Sequence, residues 1–194
     1  DIKASERILD YAETLTIAEG GEPRNVKLIG SQIFDIGCRF GWKNKKGFRR
    51  FRRSYKSEAR QNGKTFENGI IGTYIGNFSD LNELFEVKDY KSLIECNLTN
   101  STIEALSKEA GLDDGFRSIF SSIDEIHQHK DDRIYKAIYN GTGALDETLV
   151  SMITTRGTDI NPESFSYKMD SYAIRILERT VTAEDFFVDI YTLD

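Results

Sequence analysis

Apolar positions recur along the chain first at helical spacing and then at strand spacing. Ile8, Leu9, Ala12, Leu15 and Ile17 sit about one helical turn apart and predict an amphipathic helix over 1–20. The glycines and proline of GGEPRN (20–25) break it. Leu28, Ile29, Ile33, Phe34, Ile36, Phe40 and Trp42 repeat the pattern and predict a second helix over 26–42, with Trp42 in the core. Residues 51–59 then read as a strand with Tyr55, Ser57 and Ala59 on one face. A helix follows over 65–77, where Gly69, Gly72 and Gly76 share a face; glycine there costs about 1 kcal/mol against alanine, so that face is expected to pack closely on a sheet.

Downstream, 91–96 and 101–106 are short strands about an NLTN turn, and 119–123 is a strand running into Asp124-Glu125. Residues 132–139 predict a helix, 148–154 a strand, 166–179 a long helix and 186–193 a closing strand. Strands alternating with helices argue for an α/β fold with a mainly parallel sheet flanked by helices. No repeat of solenoid length interrupts this order.

With 39% apolar and 30% charged residues in 194, the chain has material for one core and a heavily charged surface. A collagen-like or fully disordered chain is excluded. The net charge of −6 argues against a surface that binds nucleic acid all over. The charge is uneven: KNKKGFRRFRRSYK (43–56) carries eight basic residues and no acid, so the remainder is more acidic than the whole. Phe48, Phe51 and Tyr55 interleave the basic residues as a nucleic-acid surface does, but part of the segment is the strand, where arginines are expected to pair with the acidic body. Two cysteines, Cys38 and Cys96, are too few for a disulfide scaffold and fit a reducing compartment as buried fillers. No stretch is long and apolar enough to span a bilayer, no secretory leader is visible, and the ends read as those of a fragment.

The candidate chemistry begins at ARQNGKT (59–65), placed between a strand and a helix. Backbone N–H groups of such a turn cradle phosphates; Lys64 supplies a point charge for the β- and γ-phosphates and Thr65 a hydroxyl for Mg²⁺. The full phosphate-loop pattern has glycine where Glu58 stands. About 60 residues on, Asp124 and Glu125 end a strand, where ligands of open α/β sheets gather. There an Asp holds the Mg²⁺ shell and a Glu polarises water. Thr154 and Thr155 end another strand and offer hydroxyls to a γ-phosphate or water. His127 and His129 read as structural, since no third ligand lies near.

This order of motifs resembles the large terminase subunit of tailed bacteriophages, the ATPase that drives DNA into the procapsid. FGWKNKKGFRRFRRSYKSEARQNGKT, TNSTIEALSKEAGLDDGFRSIFSSIDEIHQHKDD, SMITTRGTDIN and SYAIRILERTVTAEDFFVDIYTLD carry the likeness across nearly the whole chain. It implies a P-loop NTPase fold, with 1–194 a single ATPase domain made of a helical lead-in (1–46) and a P-loop core (47–194). Arg60, Gln61, Asn62, Gly63, Lys64 and Thr65 are then the Walker A loop, Asp124 the Walker B carboxylate on Mg²⁺, and Glu125 the catalytic one. Thr154 and Thr155 couple hydrolysis to movement, and Gln32 stands near adenine, with Ser31 where the family has Trp. A trans-acting arginine is expected near a neighbour's γ-phosphate; Arg117 is the first candidate, Arg156 a second and Arg60 one in cis.

The implied cofactors are ATP and Mg²⁺. The implied partners are double-stranded DNA, a portal, a small terminase subunit and further copies of the chain in a ring, in the host cytoplasm and without a membrane. The family places another strand–helix unit before LNELFEVKDYKS (81–92), whereas here Asn77 to Asp80 runs directly into it. The family's RNase H-like nuclease is expected after Asp194, so this chain is not expected to cut DNA. Two other readings stand beside the motor: a helicase-like translocase, for which no further helicase motif follows Thr155, and a nucleotide-binding module with weak or no turnover.

Overall fold

The computed structural model describes residues 1–17, 21–59, 62–76, 85–88, 93–96, 101–106, 117–155 and 160–191. Helix α1 (Ile2–Thr14) buries Ala4, Ile8 and Ala12, one stripe of its surface, and a two-stranded antiparallel ribbon of β1 (Thr16–Ile17) and β2 (Arg24–Asn25) follows. The predicted second helix is α2 (Gly30–Gly41), beginning four residues later than its apolar pattern. Strand β3 (Arg53–Ser57) leads through the glycine-containing loop to α3 (Lys64–Gly76). Then come β4 (Phe85–Lys88), β5 (Leu93–Cys96), β6 (Ser101–Glu104), β7 (Phe120–Ile123), a 3₁₀ turn (Ile126–Gln128) and α4 (Arg133–Gly141). A second 3₁₀ turn (Thr142–Ala144), β8 (Leu149–Thr154), α5 (Phe165–Leu177) and β9 (Phe186–Ile190) complete the described order.

Four strands form an all-parallel sheet in the order β7-β8-β3-β9. Strand β8, between two neighbours and covered on both faces, is buried at all six positions of LVSMIT, as a strand inside a parallel sheet must be. One face packs Tyr55, Ile123, Val150 and Met152 against Ile138 of α4 and Phe165, Met169 and Ala173 of α5. On the other, Leu149 meets Ile8, Ile36, Phe40 and Ile71 from α1, α2 and α3. The molecule is thus three layers, helix–sheet–helix. A separate antiparallel sheet, β4-β5-β6, contains the expected 91–106 hairpin and adds β4, which its short apolar run did not announce.

Two of the three helix glycines meet the close packing expected of them. A Cβ at Gly72 would stand 3.2 Å from the Phe120 ring of β7, and one at Gly76 would stand 3.4 Å from Ile103 of β6; Gly69 faces open space. Trp42 is corrected: it is 53% exposed and packs at a tilt against Phe51, beneath the Arg50 guanidinium. Its helix ends at Gly41, which turns position 42 off the core stripe. Cys38 is half-buried.

The basic segment is largely spent within the fold. Arg49 pairs with Glu147, Arg53 makes two hydrogen bonds to Asp185, and Arg52 donates to the carbonyls of Thr142 and Leu145 and to the Thr148 hydroxyl. Beneath the loop lies a cluster of buried charge. Lys56 of β3 donates to both oxygens of Glu67 of α3 at 2.6 and 2.7 Å, and its Nζ is 3.3 Å from Glu58. Arg39 of α2 pairs with Asp35, reaches Glu67 at 3.6 Å and donates to Ser151 of β8. Burial pushes the Arg39 guanidinium pKa down, against the charges of Glu67 and Asp189 that hold it up.

Candidate active site

The registers of the parallel sheet bring three chain segments to one edge. Ser57 of β3 lies level with Thr154 of β8, and Ile123 of β7 with Met152, so the residues following β3 and β7 and those ending β8 emerge together at the carboxyl ends. A parallel sheet aligns strand ends in this way because each crossover returns the chain to the same side.

After β3, Glu58 is buried, its backbone N–H donating to the Thr154 carbonyl at 3.2 Å. The chain then turns at Gly63, whose φ of +84° lies in the left-handed region that glycine adopts without strain. Helix α3 starts at Lys64, with the Glu67 N–H closing its first turn on the Gly63 carbonyl at 2.9 Å. Lys64 is buried, and its ammonium donates to the carbonyls of Glu58 at 3.0 Å and Ala59 at 2.8 Å, inside the curve of the loop. Thr65, exposed at the helix start, donates its hydroxyl to Oδ2 of Asp124 at 3.3 Å.

The second segment is itself unusual in conformation. Glu125 has φ 51° and ψ 52°, a left-handed backbone uncommon for a residue with a side chain and of a kind that clusters at functional sites. Its N–H donates to Oδ1 of Asp124 at 2.7 Å, and buried Ile126 anchors the 3₁₀ turn that follows. The Glu125 Oε2 accepts from the Thr155 hydroxyl at 3.2 Å and lies 3.1 Å from His127 Nε2. On its other side, His127 Nδ1 is 2.9 Å from the Thr154 hydroxyl.

Beside the loop, a cleft of about 570 Å³ is lined by Gln32, Glu58, Asn62, Gly63, Phe66 and Tyr191, among others. That size accommodates a nucleoside. Gln32 is buried, accepts from the Ile29 N–H at 3.0 Å, and places Nε2 3.1 Å from where a Cβ on Gly63 would stand. Burial, with Asp189 beside it, pushes the Tyr191 phenol up to about 12, so its hydroxyl remains protonated at neutral pH.

Of the residues singled out in the sequence, Gln32, Asn62, Gly63, Lys64, Thr65, Asp124, Glu125, Thr154 and Thr155 share this edge and cleft. Arg60, Gln61 and Arg156 lie outside the described residues. Arg117 is exposed and precedes β7, while Asp124 and Glu125 follow it, so the four-residue strand, about 13 Å long, lies between Arg117 and its own carboxylates. Sequence reasoning missed Tyr191 and Phe66 in the cleft, which no local pattern marks. It also took His127 as merely structural; its spacing from Asp124, one short turn on, was the available signal. Among the described residues no group of three or more His, Cys, Asp or Glu side chains is placed to hold a metal ion on its own. Thr65 and Asp124 nevertheless offer two neighbouring hard oxygen donors at solvent, a set that suits Mg²⁺ completed by waters and phosphate oxygens.

Residues 80–173 match the family model described as the terminase large subunit, ATPase domain. That stretch contains Asp124, Glu125, Thr154 and Thr155, while Gln32 and the Gly63–Thr65 turn precede it. The crystal structure of the HK97 bacteriophage large terminase shares the fold with a TM-score of 0.76 at 19% sequence identity, over 98% of this chain and 44% of that one. The chain therefore spans less than half the length of that terminase. No curated protein sequence matches it. The shared fold is a parallel sheet between helices. Residues 80–173 thus resemble the terminase large-subunit ATPase domain in sequence, within a fold that the chain shares with that terminase.

Proposed function

We propose that the chain binds ATP and Mg²⁺ at the carboxyl edge of its parallel sheet and hydrolyses the γ-phosphate, as the ATPase of a viral DNA-packaging motor. The observation that carries this reading is the meeting of buried Lys64, the Thr65–Asp124 pair and Glu125 at one sheet edge, beside a cleft of nucleoside size.

In this reading the Gly63–Thr65 turn and the first N–H groups of α3 hold the phosphates. Lys64 exchanges its two carbonyl partners for phosphate oxygens, a favourable trade because a charge-assisted bond to an anion is stronger than one to a neutral carbonyl. Gln32, Asn62 and Tyr191 border the space for the nucleoside. Thr65 and Asp124 would hold Mg²⁺, which neutralises charge developing on the β- and γ-phosphates. Glu125 accepts a proton from the attacking water, its carboxylate held by the Thr155 hydroxyl. Thr154 and Thr155 connect that carboxylate to the end of β8, where movement begins.

Double-stranded DNA, a portal, a small terminase subunit and ring neighbours in a bacterial host's cytoplasm are the partners proposed for the whole motor. Arg117, at the opposite end of β7 from Asp124 and Glu125, serves in this reading only a neighbour's site. With Arg49, Arg52 and Arg53 committed to internal contacts, DNA contact falls to other basic positions, such as exposed Lys45 and Lys46.

Titration of the chain with Mg²⁺ and a fluorescent ATP analogue, together with phosphate release, tests the proposal. Lys64→Ala is expected to abolish triphosphate binding with the fold retained by circular dichroism. Glu125→Gln should bind normally and lose at least about 10²-fold in turnover, since an amide accepts no proton. Unchanged affinity in folded Lys64→Ala, or parent-like turnover in Glu125→Gln, refutes the corresponding assignment.

A further inference from the structure

We propose that His127 is a positioning residue that ties the Glu125 carboxylate to the hydroxyl of Thr154 and fixes which carboxylate oxygen takes the proton from water. Its two ring nitrogens contact these two groups, Nε2 at 3.1 Å from Glu125 Oε2 and Nδ1 at 2.9 Å from Thr154 Oγ1. Both ends are held: Thr154 is 2% exposed in the most buried strand, and the 3₁₀ turn bearing His127 is pinned by Ile126 at 0%. The kinetic consequences rest on the ATPase reading above; the hydrogen-bond arrangement does not.

The chemistry of the partners dictates the tautomer. An ionised carboxylate only accepts, so the neutral ring carries its proton on Nε2 and presents Nδ1 as a lone pair. Thr154 must then donate to Nδ1. A hydroxyl has one proton, so this choice withdraws it from the other acceptor in reach, the Thr155 carbonyl at 3.1 Å. On the carboxylate, His127 and the Thr155 hydroxyl both contact Oε2. Oε1 is left to accept the proton of the attacking water. The coupling threonines and the base are joined through one imidazole, and a shift at the end of β8 changes the orientation of the base.

Two substitutions separate the arms. Glutamine places its amide nitrogen near the position of Nε2 and keeps a donor for Glu125; asparagine reaches only the Nδ1 position and keeps a partner for Thr154. Nitrogen-15 NMR of the nucleotide-free chain, at mildly alkaline pH where imidazole is neutral, is expected to show His127 protonated on Nε2. Thr154→Val should shift its Nδ1 resonance toward that of an unbonded acceptor. In single-turnover hydrolysis of Mg-ATP, His127→Gln should stay within about 3-fold of the parent, while His127→Asn should slow by about 10- to 100-fold at unchanged ATP affinity.

Protonation on Nδ1, or an Nδ1 resonance indifferent to Thr154→Val, overturns the link. Equal slowing of the two variants overturns the assignment of the Nε2 contact as the one that positions the base. A parent chain that neither binds nor hydrolyses ATP overturns the functional reading instead, and the tautomer measurement still decides the link.

Discussion

Removing the Lys56 charge should destabilise the fold more than removing the Glu67 charge, although the two form one pair. Both side chains are almost fully buried, at 2% and 1% exposure, and two hydrogen bonds of 2.6 and 2.7 Å join them. Breaking a buried ion pair from one side costs about 3–5 kcal/mol, mostly because the remaining charge stays desolvated without its partner. The neighbours decide which remaining charge suffers more. Lys56 and Arg39 are two cations in ion-pair contact with three carboxylates, Asp35, Glu58 and Glu67. Lys56→Met leaves one cation facing all three, so the upper part of that range applies. Glu67→Gln leaves two cations facing two carboxylates: Lys56 retains Glu58 at 3.3 Å and Arg39 retains Asp35. Its cost should be about 1–3 kcal/mol, that of a hydrogen-bonded group left imperfectly matched.

Urea denaturation of the two variants and their double measures this. With a slope of about 2–3 kcal/mol/M, Lys56→Met should lower the midpoint by about 1.3–2.5 M and Glu67→Gln by about 0.3–1.5 M, the former the larger in the same buffer. Against a total stability of about 5–15 kcal/mol, the first is a large fraction. The double variant should lose less than the sum of the singles, because the two charges share one interaction. If Glu67→Gln proves the more destabilising, or if the two effects simply add, the charge-balance argument is wrong.

Two further outcomes follow from particular atoms. Gly63→Ala should destabilise by about 1–2 kcal/mol in the same assay, and should displace Gln32 and weaken ATP-analogue binding. The cause is a Cβ at a φ of +84° and 3.1 Å from Gln32 Nε2. Asp189→Asn should stabilise the chain at neutral pH. Burial raises the Asp189 pKa above its ordinary 3.8, partly opposed by Lys56. A carboxyl whose pKa is raised by folding favours the fold while protonated, and that contribution is lost as pH rises through the folded value. The variant's advantage should therefore be absent below about pH 3.8 and grow above it, as thermal melts across pH would show. A stability difference that does not change with pH would exclude Asp189 as its source.

The elements themselves were legible in the chain. Period and punctuation located the helices and the strands of the parallel sheet, most of them to within a few residues, because each element must bury one stripe or face wherever it ends up; the first helix, expected to reach residue 20, stops at Thr14, and Thr16–Ile17 pair as a strand instead. GKT after a strand and Asp124-Glu125 at the end of another were legible for a related reason: a parallel sheet puts strand ends where ligands gather. What the local pattern lacked was every decision made by partners distant in sequence. No residue of β3 states that it lies between β8 and β9, since parallel neighbours contribute hydrogen bonds and not a sequence signal. Trp42 carried a helical period yet lies outside, because the helix ended one residue earlier. Lys56, in a run that looked like a basic surface, is buried, its charge met by Glu67 on the next helix. Arg117, expected to act on a neighbour's site, stands before β7, while Asp124 and Glu125 follow it. His127 carries no motif of its own; only the parallel pairing of β7 with β8 sets the end of one strand against the turn after the other, within reach of one imidazole.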